Sequence, residues 1–224
     1  PFVASIDNVG PFARSLDDLA LVFDALQGRD PLDENQIDRA ACRASDALRG
    51  TGAGLRVARL GGYFDDNVAP DVKRALDRFC HALDIGRTVN WPQAEVARAA
   101  AFMISAAEGG ALHLARLQSR AADFEPDRAH RLMAGAIQPA AWVAQAHRFR
   151  AAFRQQARET FAGVDILVAA TTPWPALPHG TATFNLNGRA VPAAASGGLL
   201  TQPISFIGLP VISAPLPVAD GELP

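Results

Sequence analysis

Apolar residues recur along the chain at two different spacings, and the switches between them outline the elements. The opening stretch, PFVASIDNVGPFARSLDD, reads as a short strand running into a turn at Asp7-Asn8-Val9-Gly10-Pro11. Ser15-x-x-Asp18 then has the form of a capping box with Asp in place of Glu. Leu16, Leu19, Ala20, Phe23 and Leu26 follow at helical spacing until Gly28 ends the helix. Residues 29–53 are polar and Ala/Gly-rich without sustained periodicity, which suits a long surface connection with a short helix near 38–48. Residues 55–60 alternate and predict a strand, and Gly61-Gly62 breaks it. A helix is expected from about 67 to 83, with Pro70 in its first turn, and a second short strand over 88–91 completes a βαβ-like unit.

The pattern is helical from Gln93 to about Leu117, although Gly109-Gly110 weakens the middle. Pro126 opens another helix through Arg131 to Ile137, and Pro139 a long one ending near Phe161 with Trp142, Val143, Ala146, Phe149 and Phe153 on its apolar side. DILVAA, residues 165–170, is a continuous apolar run of the buried, central-strand type. The loop TTPWPALPHG carries three prolines and cannot be helical. Residues 183–191 predict a hairpin with Asn187-Gly188 as a type I′ turn. A small-residue segment then leads to a last strand over 211–214 and a closing turn. No internal repeat is evident. The elements add up to a mixed α/β protein: α/β core parts at 1–92 and 162–224, and a helical insertion at 93–161.

Composition narrows the classes. With 224 residues, 49% hydrophobic and 20% charged, the chain can bury a real core as one large domain or two small ones. A net charge of −2 gives no reason to expect nucleic acid or an anionic membrane as a partner. No apolar run reaches the roughly 18–20 residues of a spanning helix. Cys42 and Cys80 lack metal-type spacing and read as reduced thiols of a cytoplasmic protein. His81, His113, His130, His147 and His179 lie far apart with no His-x₃-His pair, so no metal site and no cofactor are expected. LGGYFDDN matches neither a dinucleotide nor a P-loop fingerprint and reads as a strand-ending turn. Arg150, Arg154 and Arg158 share a helical face that reads as solvated surface. Thr171 and Thr172 follow a strand, at the edge where α/β proteins bind ligands. A rigid structural loop accounts for them equally well. No Gly-x-Ser-x-Gly elbow is present, and the residues alone name no nucleophile.

SIDNVGPFARSLDDLALVFDALQGRDPLD, DILVAATTPWPALP and LLTQPISFIGLPVISAP resemble, in this order, the segments that follow the catalytic core of amidase signature enzymes. The resemblance covers essentially the whole chain. RVARLGGYFDDN, Trp91-Pro92, AAAFMISAAEGGALHL, DFEP and QPAAWVAQAHRFR are similar to the branch that hydrolyses 1-carboxybiuret in cyanuric acid breakdown. The amidotransferase A subunits are a more distant likeness. The resemblance implies the C-terminal part of the amidase signature fold, a mixed β-sheet core flanked by helices. It also implies amide hydrolysis through an acyl-enzyme by a Ser–cis-Ser–Lys triad. No Gly-Ser-Ser-Gly loop occurs in the chain, so the triad and its oxyanion donors are expected upstream of Pro1, and no catalytic residue is assigned.

The same resemblance implies substrate contacts. Arg131, in HRLMAG, falls where the A subunits carry an Arg that helps hold the amide donor. Their Asp falls at Gly198, a departure that argues against glutamine and fits a small ureido compound. Ser205 stands where the family has Asn before Gly-x-Pro, and Gln202, Thr171 and Thr172 complete the expected substrate-binding set. The expected function is therefore hydrolysis of a small ureide. The alternatives are a broader amidase, a catalytically silent scaffold and an A-type amidotransferase subunit. The implied partner is a small helical subunit resembling the amidotransferase C subunit, within an oligomer.

Overall fold

The computed structural model describes residues 2–33, 36–37 and 39–216, which divide into two units, 1–55 and 56–224. In the first unit, the opening segment forms a turn rather than the expected strand. The backbone N–H groups of Ile6 and Asp7 donate to the Val3 carbonyl at 3.0 and 2.8 Å. The Asp7 carboxylate accepts from the N–H groups of Phe2 and Val3 at 2.6 and 2.9 Å, an Asp competing locally with a strand ladder. Ser15 caps α1 (Leu16–Leu26) as its spacing predicts, accepting from the Asp18 N–H at 3.1 Å. Of the apolar stripe on α1, Ala20 is buried, whereas Leu16, Phe23 and Leu26 are 57, 38 and 57% exposed. The Asp24 carboxylate accepts from the N–H of Ala44 and from the N–H and hydroxyl of Ser45, which starts α2 (Ala44–Ala47). The Ser45 hydroxyl holds the Asp24 carboxyl below its ordinary range.

The second unit begins with β1 (Val57–Leu60), α3 (Tyr63–Asp66), α4 (Pro70–Ala82) and β2 (Thr88–Val89). Three long helices follow: α5 (Ala94–Arg120), α6 (Pro126–Ala136) and α7 (Ala140–Phe161). The chain returns through β3 (Ile166–Val168), the hairpin β4 (Thr183–Leu186) and β5 (Arg189–Pro192), then α8 (Ala193–Ser196) and α9 (Gln202–Ile207). The described sheet is wholly parallel, in the order β2-β1-β3, and the antiparallel hairpin stands apart from it. β1-α4-β2 is the βαβ unit expected from the spacing. DILVAA is not central among the described strands: β1 takes the middle with Ala58 and Leu60 buried, while β3 lies at an edge with Ile166 42% exposed. Residues 211–214 form no strand, and the closing turn expected after them lies outside the described residues.

Gly109-Gly110 does not weaken α5, which runs unbroken through it. A Cβ on Gly110 would lie 2.5 Å from the Ala136 nitrogen and the Leu132 carbonyl oxygen, and one on Gly135 would lie 1.8 Å from the Ala106 carbonyl oxygen. The two glycines let the backbones of α5 and α6 touch. Phe64, Trp91, Phe153, Phe149 and Phe206 form a continuous run of ring contacts at 5.8–6.3 Å from the βαβ unit through α7 to α9. Arg150 and Arg154 correct the expectation of a solvated face. Arg150 Nε donates to the Phe206 carbonyl and Arg154 Nε to the Ile207 carbonyl at 3.0 Å, closing the last turn of α9. Burial pushes the Arg150 guanidinium below its ordinary range. At the hairpin, Asn187 and Gly188 adopt φ of 51° and 83°, as a type I′ turn requires. Among the described residues, no helix is long and apolar enough to cross a membrane.

Candidate functional site

The close approach of α5 and α6 fixes what lies beside it. Arg131, on α6, reaches across to α5 and sets its guanidinium carbon 5.6 Å from the centre of the Phe102 ring. Arg98, one helical turn before Phe102, sets its own at 4.9 Å from the same ring. Phe102, Met103, Ala106, Arg131, Gln138 and Trp142 line an open groove of about 340 Å³. Its floor is apolar, with Arg131 as its cation and Gln138 as its amide. The Gln138 Oε1 is buried without a hydrogen-bond partner.

Arg98 also ties α5 to the segment between the hairpin and α9, donating from Nη2 to the Ala195 carbonyl at 2.7 Å, while its Nε is buried and unpartnered. Tyr63 holds the same segment through a hydrogen bond from its hydroxyl to the Leu199 carbonyl at 3.1 Å. Burial raises the Tyr63 phenol above its ordinary range, so the hydroxyl keeps the proton that it donates. Gln202 opens α9 and folds its side chain back over Gly198, whose Cβ, were there one, would lie 3.2 Å from the Gln202 Cδ. The Gln202 Oε1 is a further buried acceptor without a partner.

The hydroxyl candidates sit differently. Thr171 Oγ1 is 3.1 Å from Ser213 Oγ. The Pro173 carbonyl accepts from the Ala69 N–H at 2.7 Å, and Trp174 packs on Phe184 with ring centres 4.6 Å apart. The TTPWP loop is thus anchored at Pro173 and Trp174, and Thr171 and Thr172 are exposed. Ser205 is exposed on α9. Among the described residues, no hydrogen bond or ion pair ties Thr171, Thr172 or Ser205 to Arg131. Arg98 and Gln138 were not singled out by sequence reasoning. The signal for Arg98 was present: in EVARAAAFMISAAE it is the one charge between Glu95 and Glu108 on a helix buried at Ala97, Ala100 and Ala101.

A family model described as Amidase matches residues 1–224. The chain is 45% identical over 215 residues to AtzE, a subunit of 1-carboxybiuret hydrolase from Pseudomonas sp. (strain ADP), covering 96% of this chain and 47% of that protein. It is 32% identical over 250 residues to the A subunit of glutamyl-tRNA(Gln) amidotransferase from Thermus thermophilus, covering 100% of this chain and 51% of that protein. An inhibitor-bound structure, described as a vestigial protein complex revealing the evolutionary origins of an s-triazine catabolic enzyme, matches with a TM-score of 0.89 at 45% identity over 93% of this chain and 46% of that one. A crystal structure of an amidase at 22% identity, with a TM-score of 0.73 over 93% of this chain and 45% of that one, shares the fold. The chain spans about half the length of these relatives.

Proposed function

The chain belongs to the amidase family, and from that premise we propose that it supplies the substrate-recognition side of an enzyme that hydrolyses a small carboxylated ureide, such as 1-carboxybiuret, at an amide C–N bond. The observation that carries this reading is Arg131 beside an apolar groove in which a buried polar atom, Gln138 Oε1, has no partner. A carboxylate answers the guanidinium through charge-assisted hydrogen bonds. A ureide N–H answers the amide oxygen. The 45% identity to a 1-carboxybiuret hydrolase subunit supports the same substrate class. The helical segment 93–161 carries this recognition between α/β parts at 1–92 and 162–224. Gln202 lends a second acceptor, and Thr171, Thr172 and Ser205 line the approach. The Ser–cis-Ser–Lys chemistry comes from residues outside these 224. The enzyme works in the cytoplasm, in a complex with a small helical subunit.

In the full protein, Arg131→Ala should raise KM for the carboxylated ureide by about 10- to 100-fold, the scale of hydrogen bonds to a charged group. An unchanged KM would sink the role of Arg131. Ammonia release from carboxybiuret, glutamine and a simple amide separates the ureide reading from an amidotransferase-type or broad amidase. Preference for glutamine or for the simple amide would overturn it.

A further inference from the structure

We propose that Arg98 is a specificity-determining residue, which together with Arg131 forms a two-guanidinium clamp on the substrate carboxylate beside the Phe102 ring that both guanidiniums contact. The inference rests on the groove being the substrate site.

Three observations carry it. First, the two cations come from different helices, yet both stand within cation–π distance of one phenyl ring, at 4.9 and 5.6 Å. Second, neither is neutralised: among the described residues no carboxylate pairs with Arg98 or Arg131, and Glu95, three residues before Arg98 on α5, makes no ion pair with it. Two like charges brought to one ring without a countercharge repel, and an anion within reach of both offsets that repulsion. Third, Arg98 is already fixed, by its bond to the Ala195 carbonyl and by the ring, while its Nε remains a buried donor without an acceptor. A side chain held in place before binding loses little further freedom when the ligand arrives. A carboxylate can use both guanidiniums, whereas a neutral amide can use neither charge. The pair therefore selects carboxylated ureides over their uncharged analogues, and Arg98 links that selection to the segment leading into α9.

The test is made on the full protein, with kcat/KM measured for the carboxylated ureide and for an uncharged amide. Arg98→Met should lower kcat/KM for the ureide by about 10- to 100-fold and leave that for the amide within about twofold. Arg98→Lys should fall between, because the charge stays and the planar fork is lost. Arg98→Met combined with Arg131→Met should cost less than the two single losses multiplied, since both hold one carboxylate. Parallel losses on both substrates, or no loss, would overturn the clamp. The wild-type protein offers a check that needs no variant: malonate should inhibit competitively and malonamide at least about tenfold more weakly. Equal inhibition by the two overturns the clamp. Wild-type protein that ignores the ureide instead overturns the proposed function itself.

Discussion

Arg56 and Asp165 show most plainly how single residues join distant parts of the second unit. The Asp165 carboxylate accepts from Arg56 Nη2 at 2.7 Å, from Nε at 3.0 Å and from the Arg56 backbone N–H at 2.7 Å, while Arg56 Nη1 donates to the Ala162 carbonyl at 3.1 Å. The start of β1 is thereby bound to the end of α7. These hydrogen bonds, with the Arg56 side chain first, hold the Asp165 carboxyl down at about 2 against an ordinary 3.8. Because the folded value is the lower one, the pairing stabilises the fold above the unfolded value and is lost as pH falls from about 4 towards 2. Asp165→Asn in the full protein should therefore lower the melting temperature at pH 7, and the gap from wild type should close as pH approaches 2. A gap of constant size down to pH 2 would refute the assignment. Both side chains are partly exposed, so added salt should narrow the gap as well.

Elements were legible wherever one residue type dictates local geometry. Ser15 capping α1, Pro70 and Pro126 opening α4 and α6, and Asn187-Gly188 turning the hairpin all follow from steric or hydrogen-bonding needs internal to a few residues. Elements whose identity depends on a partner were not. The apolar run 165–170 gives no sign of whether a strand lies on each side of it, and 211–214 is apolar without joining a described ladder. The Arg150 and Arg154 face could not announce that α9 covers it. Of the candidate site, Arg131 was singled out through resemblance, whereas Arg98 was missed because a cation among alanines reads as helix surface. Gly135 gives the clearest test at this scale. Helix propensity favours Ala over Gly by about 1 kcal/mol. A Cβ 1.8 Å from the Ala106 carbonyl oxygen must instead push α6 off α5, an overpacking cost of about 1–3 kcal/mol. The clash is with backbone, which cannot rotate away, so Gly135→Ala should lower stability to chemical denaturation. A stabilised variant would show that the helices separate without penalty. Because Arg131 lies on the same helix, KM for the ureide should rise too.

At the scale of the whole molecule, the proposed function divides recognition and chemistry between parts of the full protein. The groove beside α5 and α6 offers the Arg131 cation, the Gln138 amide oxygen and an apolar floor, all suited to holding a substrate. The candidate hydroxyls Thr171, Thr172 and Ser205 are poorly placed to attack one. Thr171 Oγ1 faces another hydroxyl, that of Ser213, and Thr172 and Ser205 are exposed. Activation of a hydroxyl nucleophile needs a general base within hydrogen-bond reach, and none of these three has a base as a hydrogen-bond partner among the described residues. The proposed function therefore requires the attacking serine to lie elsewhere in the full protein. A fluorophosphonate probe, which marks activated serine hydroxyls covalently, distinguishes the cases. Labelling the full protein, digesting it and locating the tagged peptide by mass spectrometry should place the tag outside these residues, with loss of ureide turnover in proportion to labelling. Arg131→Ala and Arg98→Met should leave the labelling rate near that of wild type, because they act on the substrate carboxylate and not on the nucleophile. A tag on Thr171, Thr172, Ser205 or Ser213 would overturn the division and move the chemistry onto the TTPWP loop and α9.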